Sequence, residues 1–161
     1  MFKPYPISTL GKLVSIILED ITLTDEEFAE SGHRPKFLEV GCGVGTKLTM
    51  VSKLFGLDVT GFDYNEVYCQ AAIDLLTAKG CTNWHVTRRD ALEVYAEYQE
   101  ADIIYLNRPF VHLLKQEALE RLVFAAMHRG AYVILGNYAS TPEGWQQIAE
   151  DKVAAVFRKP L

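Results

Sequence analysis

The chain has 161 residues, 49% of them apolar and 23% charged, which is enough for one domain with its own core and too few to call for two. A net charge of −5 gives no reason to expect a basic face for nucleic acid, and no apolar run nears the ~18 residues of a membrane span. Three cysteines (Cys42, Cys69, Cys81) without CxxC spacing and four scattered histidines argue against a disulfide framework or a metal site. The opening Met1-Phe2-Lys3-Pro4-Tyr5-Pro6 lacks the apolar core and cleavage site of a signal peptide, so a cytoplasmic protein is expected.

In chain order, Ile7, Leu10, Val14, Ile17 and Leu18 recur at helical spacing and predict an amphipathic helix over residues 7–20. It packs against a sheet or closes over a ligand as a lid. Thr24-Asp25-Glu26-Glu27 reads as a capping box opening a short second helix, which ends at Ser31-Gly32-His33-Arg34-Pro35. Phe37–Val40 is a short apolar strand that breaks into Gly41-Cys42-Gly43-Val44-Gly45 and closes on Thr46-Lys47, where a helix carrying Leu48, Val51, Leu54 and Phe55 begins. Gly56 stops that helix.

A second strand over residues 57–62 delivers Asp63, and Asn65 caps a helix closed by Lys79-Gly80. Trp84-His85-Val86-Thr87 is a third strand, followed by Arg88-Arg89-Asp90-Ala91 and a short helix near residues 92–98. The fourth strand, residues 102–106, ends at Asn107-Arg108-Pro109-Phe110. Leu113, Leu114, Ala118, Leu122, Val123 and Ala126 form a helical stripe ended by Gly130, and residues 131–135 are a fifth, wholly apolar strand. Trp145–Ala149 and residues 153–158 flank Glu150-Asp151-Lys152 as a β-hairpin; a helical turn over 142–150 before one last strand is the alternative. Strand alternating with helix implies an α/β protein with a parallel sheet and right-handed crossovers.

In such sheets ligands bind at the carboxyl ends of the strands, where Glu39 with the glycine turn, Asp63, Asp90 and Asn107 stand. A dinucleotide fingerprint, G-x-G-x-x-G, would put its third glycine at position 46, yet Thr46 is there and Gly45 precedes it. Glu39 also opposes a pyrophosphate and suits a ligand carrying an ammonium or sulfonium group. These features disfavour a nicotinamide-dependent oxidoreductase.

Leu38-Glu39-Val40-Gly41-Cys42-Gly43-Val44-Gly45-Thr46 resembles the first motif of the class I S-adenosylmethionine-dependent methyltransferases, and the likeness extends over residues 36–136. It implies a Rossmann-like doubly wound, mainly parallel sheet with helices on both faces. One domain over 1–161 is expected: a helical cap over 1–35, a cofactor-binding core over 36–136 and a strand or hairpin over 137–161. The resemblance further implies that Glu39, Gly41, Cys42, Gly43, Gly45, Asp63, Tyr64, Asp90, Ala91 and Asn107 bind S-adenosyl-L-methionine. Asp63 would accept from both ribose hydroxyls, Asp90-Ala91 would meet the adenine with Tyr64 at its edge, and Asn107 would stand near the transferring methyl. Cys42 reads as a small residue packed beneath the turn.

Asn107-Arg108-Pro109-Phe110 resembles the [DN]-P-P-[YF] of amino-methylating enzymes, in which the aromatic stacks on the acceptor. Arg108 replaces the first proline, which loses a rigid turn and adds a permanent cation. Arg108 and Phe110 are thus candidate substrate residues, Arg108 for a carboxylate or phosphate, or else paired with an acid such as Glu39. The expected function is methyl transfer by direct displacement, with S-adenosyl-L-homocysteine as product and no metal. The acceptor is expected to be a small molecule or a protein rather than nucleic acid, with no membrane partner and with room for a homo-oligomer. The alternative is a cofactor-binding module acting through a partner protein.

Overall fold

The computed structural model describes residues 6–161; the opening stretch read for a signal peptide lies, apart from Pro6, outside them. Five strands run parallel: β1 (Lys36–Val40), β2 (Asp58–Asp63), β3 (Trp84–Arg88), β4 (Ile103–Asn107) and β5 (Tyr132–Gly136). With β6 (Gln146–Glu150) and β7 (Ala154–Arg158) they form one sheet in the order β3-β2-β1-β4-β5-β7-β6, β7 antiparallel to both neighbours. This is the doubly wound α/β sheet that the alternating pattern predicts, and its last two strands are the hairpin.

Side chains alternate along each strand, so the sheet separates two cores. On one face Phe37, Ile103, Tyr105 and Ile134 meet α1 (Ile7–Thr24), α3 (Thr46–Phe55) and α4 (Glu66–Ala78). On the other, Leu38, Val40, Ile104 and Leu135 meet α5 (Ala96–Glu100) and α6 (Leu113–Ala126). Both faces of the central strands are therefore dry, which is why β5 can be an unbroken apolar run.

α1 is a packing helix. The described residues 137–145 form a loop rather than a crossover helix, so β5 and β7 would lie bare on one face. α1 covers them with Leu10, Leu13, Val14 and Ile17, all buried, and each contributes about 1.5–3 kcal/mol over its exposed state. The hydroxyl of Tyr132 in β5 donates to Asp20 and locks the helix in place.

Four local readings are corrected. α1 continues to Thr24, whose hydroxyl turns back to the Asp20 carbonyl (2.7 Å). The cap of α2 (Glu26–Glu30) is therefore Asp25, which accepts from the Phe28 N–H at 2.9 Å. The segment after β3 is split, a 3₁₀ turn over Ala91–Glu93 and then α5, because Val94 and Tyr95 leave helical geometry. α6 ends at Ala126, four residues before Gly130, where the Lys159 ammonium reaches across to the carbonyls of Phe124 (2.8 Å) and Met127 (2.6 Å). No helix among the described residues is long and apolar enough to cross a membrane.

Candidate functional site

Strand order reverses between β1 and β4, and at their carboxyl ends a cleft of about 390 Å³ opens. Its floor is the glycine turn, one wall is the exits of β2 and β3, and the other wall is the exit of β4. A smaller hollow of about 90 Å³ lies at the opposite ends of the strands, among Asp102, His128 and Tyr132, and is too small for a nucleoside.

The glycine turn gives three of its donors to β2. The N–H groups of Gly41 and Cys42 both reach the Phe62 carbonyl (2.9 and 3.0 Å), and Gly43 donates to Asp63 Oδ2 (3.0 Å). Gly45 sits at φ +82°, and a Cβ there would lie 2.8 Å from that of Ala72, so only glycine lets α3 start against α4. Gly61 in β2, read from the sequence only as a strand residue, makes room for Cys42; a Cβ on it would lie 2.8 Å from the Cys42 Cβ. Burial raises the Cys42 thiol well above the ordinary range, so its sulfur packs and does not react.

Asp63 is the pivot of the wall at the exits of β2 and β3. Its Oδ2 holds Gly43 and its Oδ1 accepts from the Asn65 N–H at 2.9 Å, so the carboxylate is fixed while each oxygen keeps accepting capacity. That arrangement fits a vicinal diol. Tyr64 beside it is exposed, with the Arg88 guanidinium 5.4 Å from its ring centroid. Asp90 caps the 3₁₀ turn through the Leu92 N–H (2.9 Å), and the Ala91 carbonyl accepts from the buried Tyr98 hydroxyl (2.8 Å).

Glu39 lies behind the turn, buried, and its Oε1 has no hydrogen-bond partner among the described residues. Burial pushes its carboxyl up to about 8; Lys47 opposes that rise and the Asp63 charge adds to it. An orphaned buried acceptor is costly, so this oxygen is a place where a bound cationic donor gains most.

The predicted residues divide. Gly41, Asp63, Tyr64, Asp90, Ala91 and Phe110 line the cleft; Glu39, Cys42, Gly43, Gly45, Asn107 and Arg108 are not in its lining. Asn107 turns toward β5, its Oδ1 accepting from Asn137 Nδ2 (2.8 Å) over Gly136, where a Cβ would meet it. Arg108 is half-buried at φ +39°, a backbone that proline, fixed near −65°, cannot adopt. The β4 exit is therefore a different turn from [DN]-P-P-[YF], which explains why proline does not stand at position 108. Pro109 instead leans on the floor, 3.0 Å from where a Gly41 Cβ would be.

Sequence reasoning missed Lys115 and Arg89 in the lining. Arg89 is held by Glu97 at 2.9 Å. Lys115 occupies the first turn of α6, and its one available signal was its place just past the β4 exit.

Residues 37–130 match the family model described as a methyltransferase domain, and the chain belongs to that family. It is 26% identical over 107 residues to phosphoethanolamine N-methyltransferase 1 of Triticum aestivum, covering 66% of this chain and 21% of that protein. It is 27% identical over 149 residues to the chloroplastic tocopherol O-methyltransferase of Arabidopsis thaliana, covering 86% of this chain and 42% of the relative. The chain thus spans only 21% to 42% of the length of these curated relatives. An RNA methyltransferase from Salinibacter ruber, solved in complex with S-adenosyl-L-homocysteine, shares the fold at a TM-score of 0.65 and 17% identity, over 98% of this chain and 92% of that one.

Proposed function

We propose that the cleft binds S-adenosyl-L-methionine and that the chain passes its methyl group to an acceptor by direct displacement, releasing S-adenosyl-L-homocysteine. The observation that carries this reading is Asp63, a carboxylate pinned by two backbone donors at the cleft wall with accepting capacity left for a ribose diol. Asp90 and Ala91 bound the adenine end, with Tyr64 at its edge. Glu39 Oε1 takes the ammonium of the methionine end from behind the turn. When bound, the cofactor supplies a methyl already activated by its sulfonium. The chain's part is alignment and exclusion of water; a neutral amine acceptor needs no base for the displacement itself, whereas a hydroxyl acceptor must give up its proton.

The acidic balance of the chain favours a small molecule or a protein as acceptor, and the reduced cysteines fit a cytoplasmic setting. The relatives' names divide between nitrogen and oxygen acceptors, so the acceptor atom is left to experiment. The second reading, a binding module serving a partner or a second copy of the chain, draws on Asn107, whose side chain is committed to Asn137 rather than to the cleft.

Calorimetry with S-adenosylmethionine, S-adenosylhomocysteine and NAD tests the donor, with the first two expected to bind. Binding of NAD alone overturns the reading. Labelled S-adenosylmethionine incubated with fractionated host extract tests transfer. Label entering no protein, nucleic-acid or small-molecule fraction selects the module.

A further inference from the structure

We propose that Gln116 and Glu120 are a positioning pair that ties the acceptor-side wall of the cleft to the loop leaving β5. The functional meaning of that wall rests on the methyl-transfer reading above.

Both residues sit one turn apart on the inward face of α6, among Leu119 and Val123, and both are fully buried. A helix that only packed would carry apolar side chains there, because a buried carboxylate costs several kcal/mol unless it is fully hydrogen-bonded. Glu120 is. Its Oε1 accepts from the Ser140 N–H (2.6 Å) and hydroxyl (2.8 Å), and its Oε2 from the Ala139 N–H (2.9 Å) and Gln116 Nε2 (2.8 Å).

A carboxylate taking four donors can only accept, so the Gln116 amide must present its nitrogen to Glu120 and its oxygen outward. That oxygen takes the Phe110 N–H at 3.3 Å. The chain of bonds therefore runs from Phe110, a cleft residue, through the core of α6 to the loop at 139–140. Phe110, Ala139 and Ser140 all lie in loops, so none of their N–H groups is taken up by the ladder of a helix or strand. A second tie between the same two strand exits, Asn137 to Asn107, lies beside them. Because Pro109 rests on Gly41, a shift of Phe110 changes the gap between this wall and the glycine floor. Alignment of donor and acceptor depends on that gap.

The tests are Glu120→Gln and Gln116→Leu in the full chain. The first keeps the size but points an NH₂ at N–H donors; the second removes both Gln116 bonds, to Glu120 and from Phe110, and leaves Ala139 and Ser140 on Glu120. Native-state amide exchange in Glu120→Gln should rise about tenfold or more at Phe110, Ala139 and Ser140 together, while β1 to β5 stay protected. In Gln116→Leu the rise should be confined to Phe110. Affinity for S-adenosylhomocysteine should stay within about twofold in both variants, since Asp63 and Asp90 touch neither residue. Transfer of label into host extract, counted per chain that binds S-adenosylhomocysteine, should fall with the KM for S-adenosylmethionine unchanged; that normalisation removes the fall that unfolding alone would give.

Unchanged exchange at Phe110 in both variants overturns the proposal. So does a rise spread over every strand, which would make the pair a support of the fold alone. A wild-type chain that binds no S-adenosylhomocysteine overturns the functional meaning of the wall, and the exchange data then decide the physical tie by themselves.

Discussion

The two walls of the cleft are built on different principles. On the donor side, after β1, β2 and β3, side chains cap the loops they sit in, Asp63 to Asn65 and Asp90 to Leu92. The longer bonds from Gly41, Cys42 and Gly43 run only between the paired ends of β1 and β2. On the acceptor side, after β4 and β5, the ties cross between separate segments, from α6 to the loop after β5 in Glu120 with Ser140 and from the end of β4 to the start of that loop in Asn107 with Asn137. A wall made of local caps and of bonds between two paired strand ends is fixed by the sheet that carries it. A wall made of tertiary ties can be retuned by changing a residue that never meets the ligand.

The comparison breaks most sharply at Gly45. Valine there would face φ +82° and a Cβ 2.8 Å from that of Ala72 and 2.9 Å from its Cα, so relief requires backbone movement. Left-handed strain and overpacking together cost about 4 kcal/mol, a large part of a domain's stability. Urea denaturation of Gly45→Val should show that loss. Adding Ala72→Gly should return only the part of the clash made by the Ala72 Cβ, since its Cα stays in place; full recovery would mean that the dihedral carries no strain.

How much of this was legible in the sequence follows the same division. The order of elements, the hairpin, the glycine turn and the caps at Asn65 and Gly56 could be read because a few neighbouring residues determine them. The cap of α2 was misplaced by one residue because Thr24 and Asp25 are equally good caps, and the length of α1 decides between them. The orientation of Asn107 could not be read, since it is set by Asn137 on the neighbouring strand exit. Gln116 and Glu120 were passed over because a polar pair at i, i+4 also describes a solvent-facing helix surface. Only the packing of α6 reveals that they face inward.

Glu39 gives the next largest effect. Folding moves its carboxyl from an ordinary 4.5 to about 8, so between those values the unfolded chain has lost a proton that the native chain keeps. Stability from this group is whole below about pH 4.5 and drains as pH rises toward 8, by at most about 1.4 kcal/mol per unit. Thermal melts of the wild type should therefore fall relative to Glu39→Gln across that window; parallel curves would refute the buried proton. A bound ammonium reverses the balance. Titrating S-adenosylhomocysteine at pH 7 in buffers of different ionisation enthalpy should report proton release in the wild type and none in Glu39→Gln.

Asp63→Ala sharpens the donor wall itself. Losing charge-assisted bonds to a diol costs about 2 kcal/mol, or roughly thirtyfold in affinity for S-adenosylhomocysteine. The same change frees the Gly43 and Asn65 amides, which should exchange faster. Equal affinity in the wild type and Asp63→Ala would remove this residue from the ribose role.

The smallest effect on donor binding is expected from Phe110→Ala, and its smallness is the point. Phe110 lines the same cleft as Asp63, so a site that worked as one undivided pocket would lose donor affinity when either residue is truncated. If the walls are separate, truncation removes ring contacts on the acceptor side and leaves the Asp63 and Asp90 bonds standing. Calorimetry should then find affinity for S-adenosylhomocysteine within about threefold of the wild type, under ~0.7 kcal/mol, while label transfer from S-adenosylmethionine falls. The fall should exceed that of Gln116→Leu, which leaves the ring in place and frees only its backbone. A thirtyfold loss of donor affinity in Phe110→Ala would merge the two walls into one, and the alignment role of the α6 ties would then have to be sought in donor binding instead.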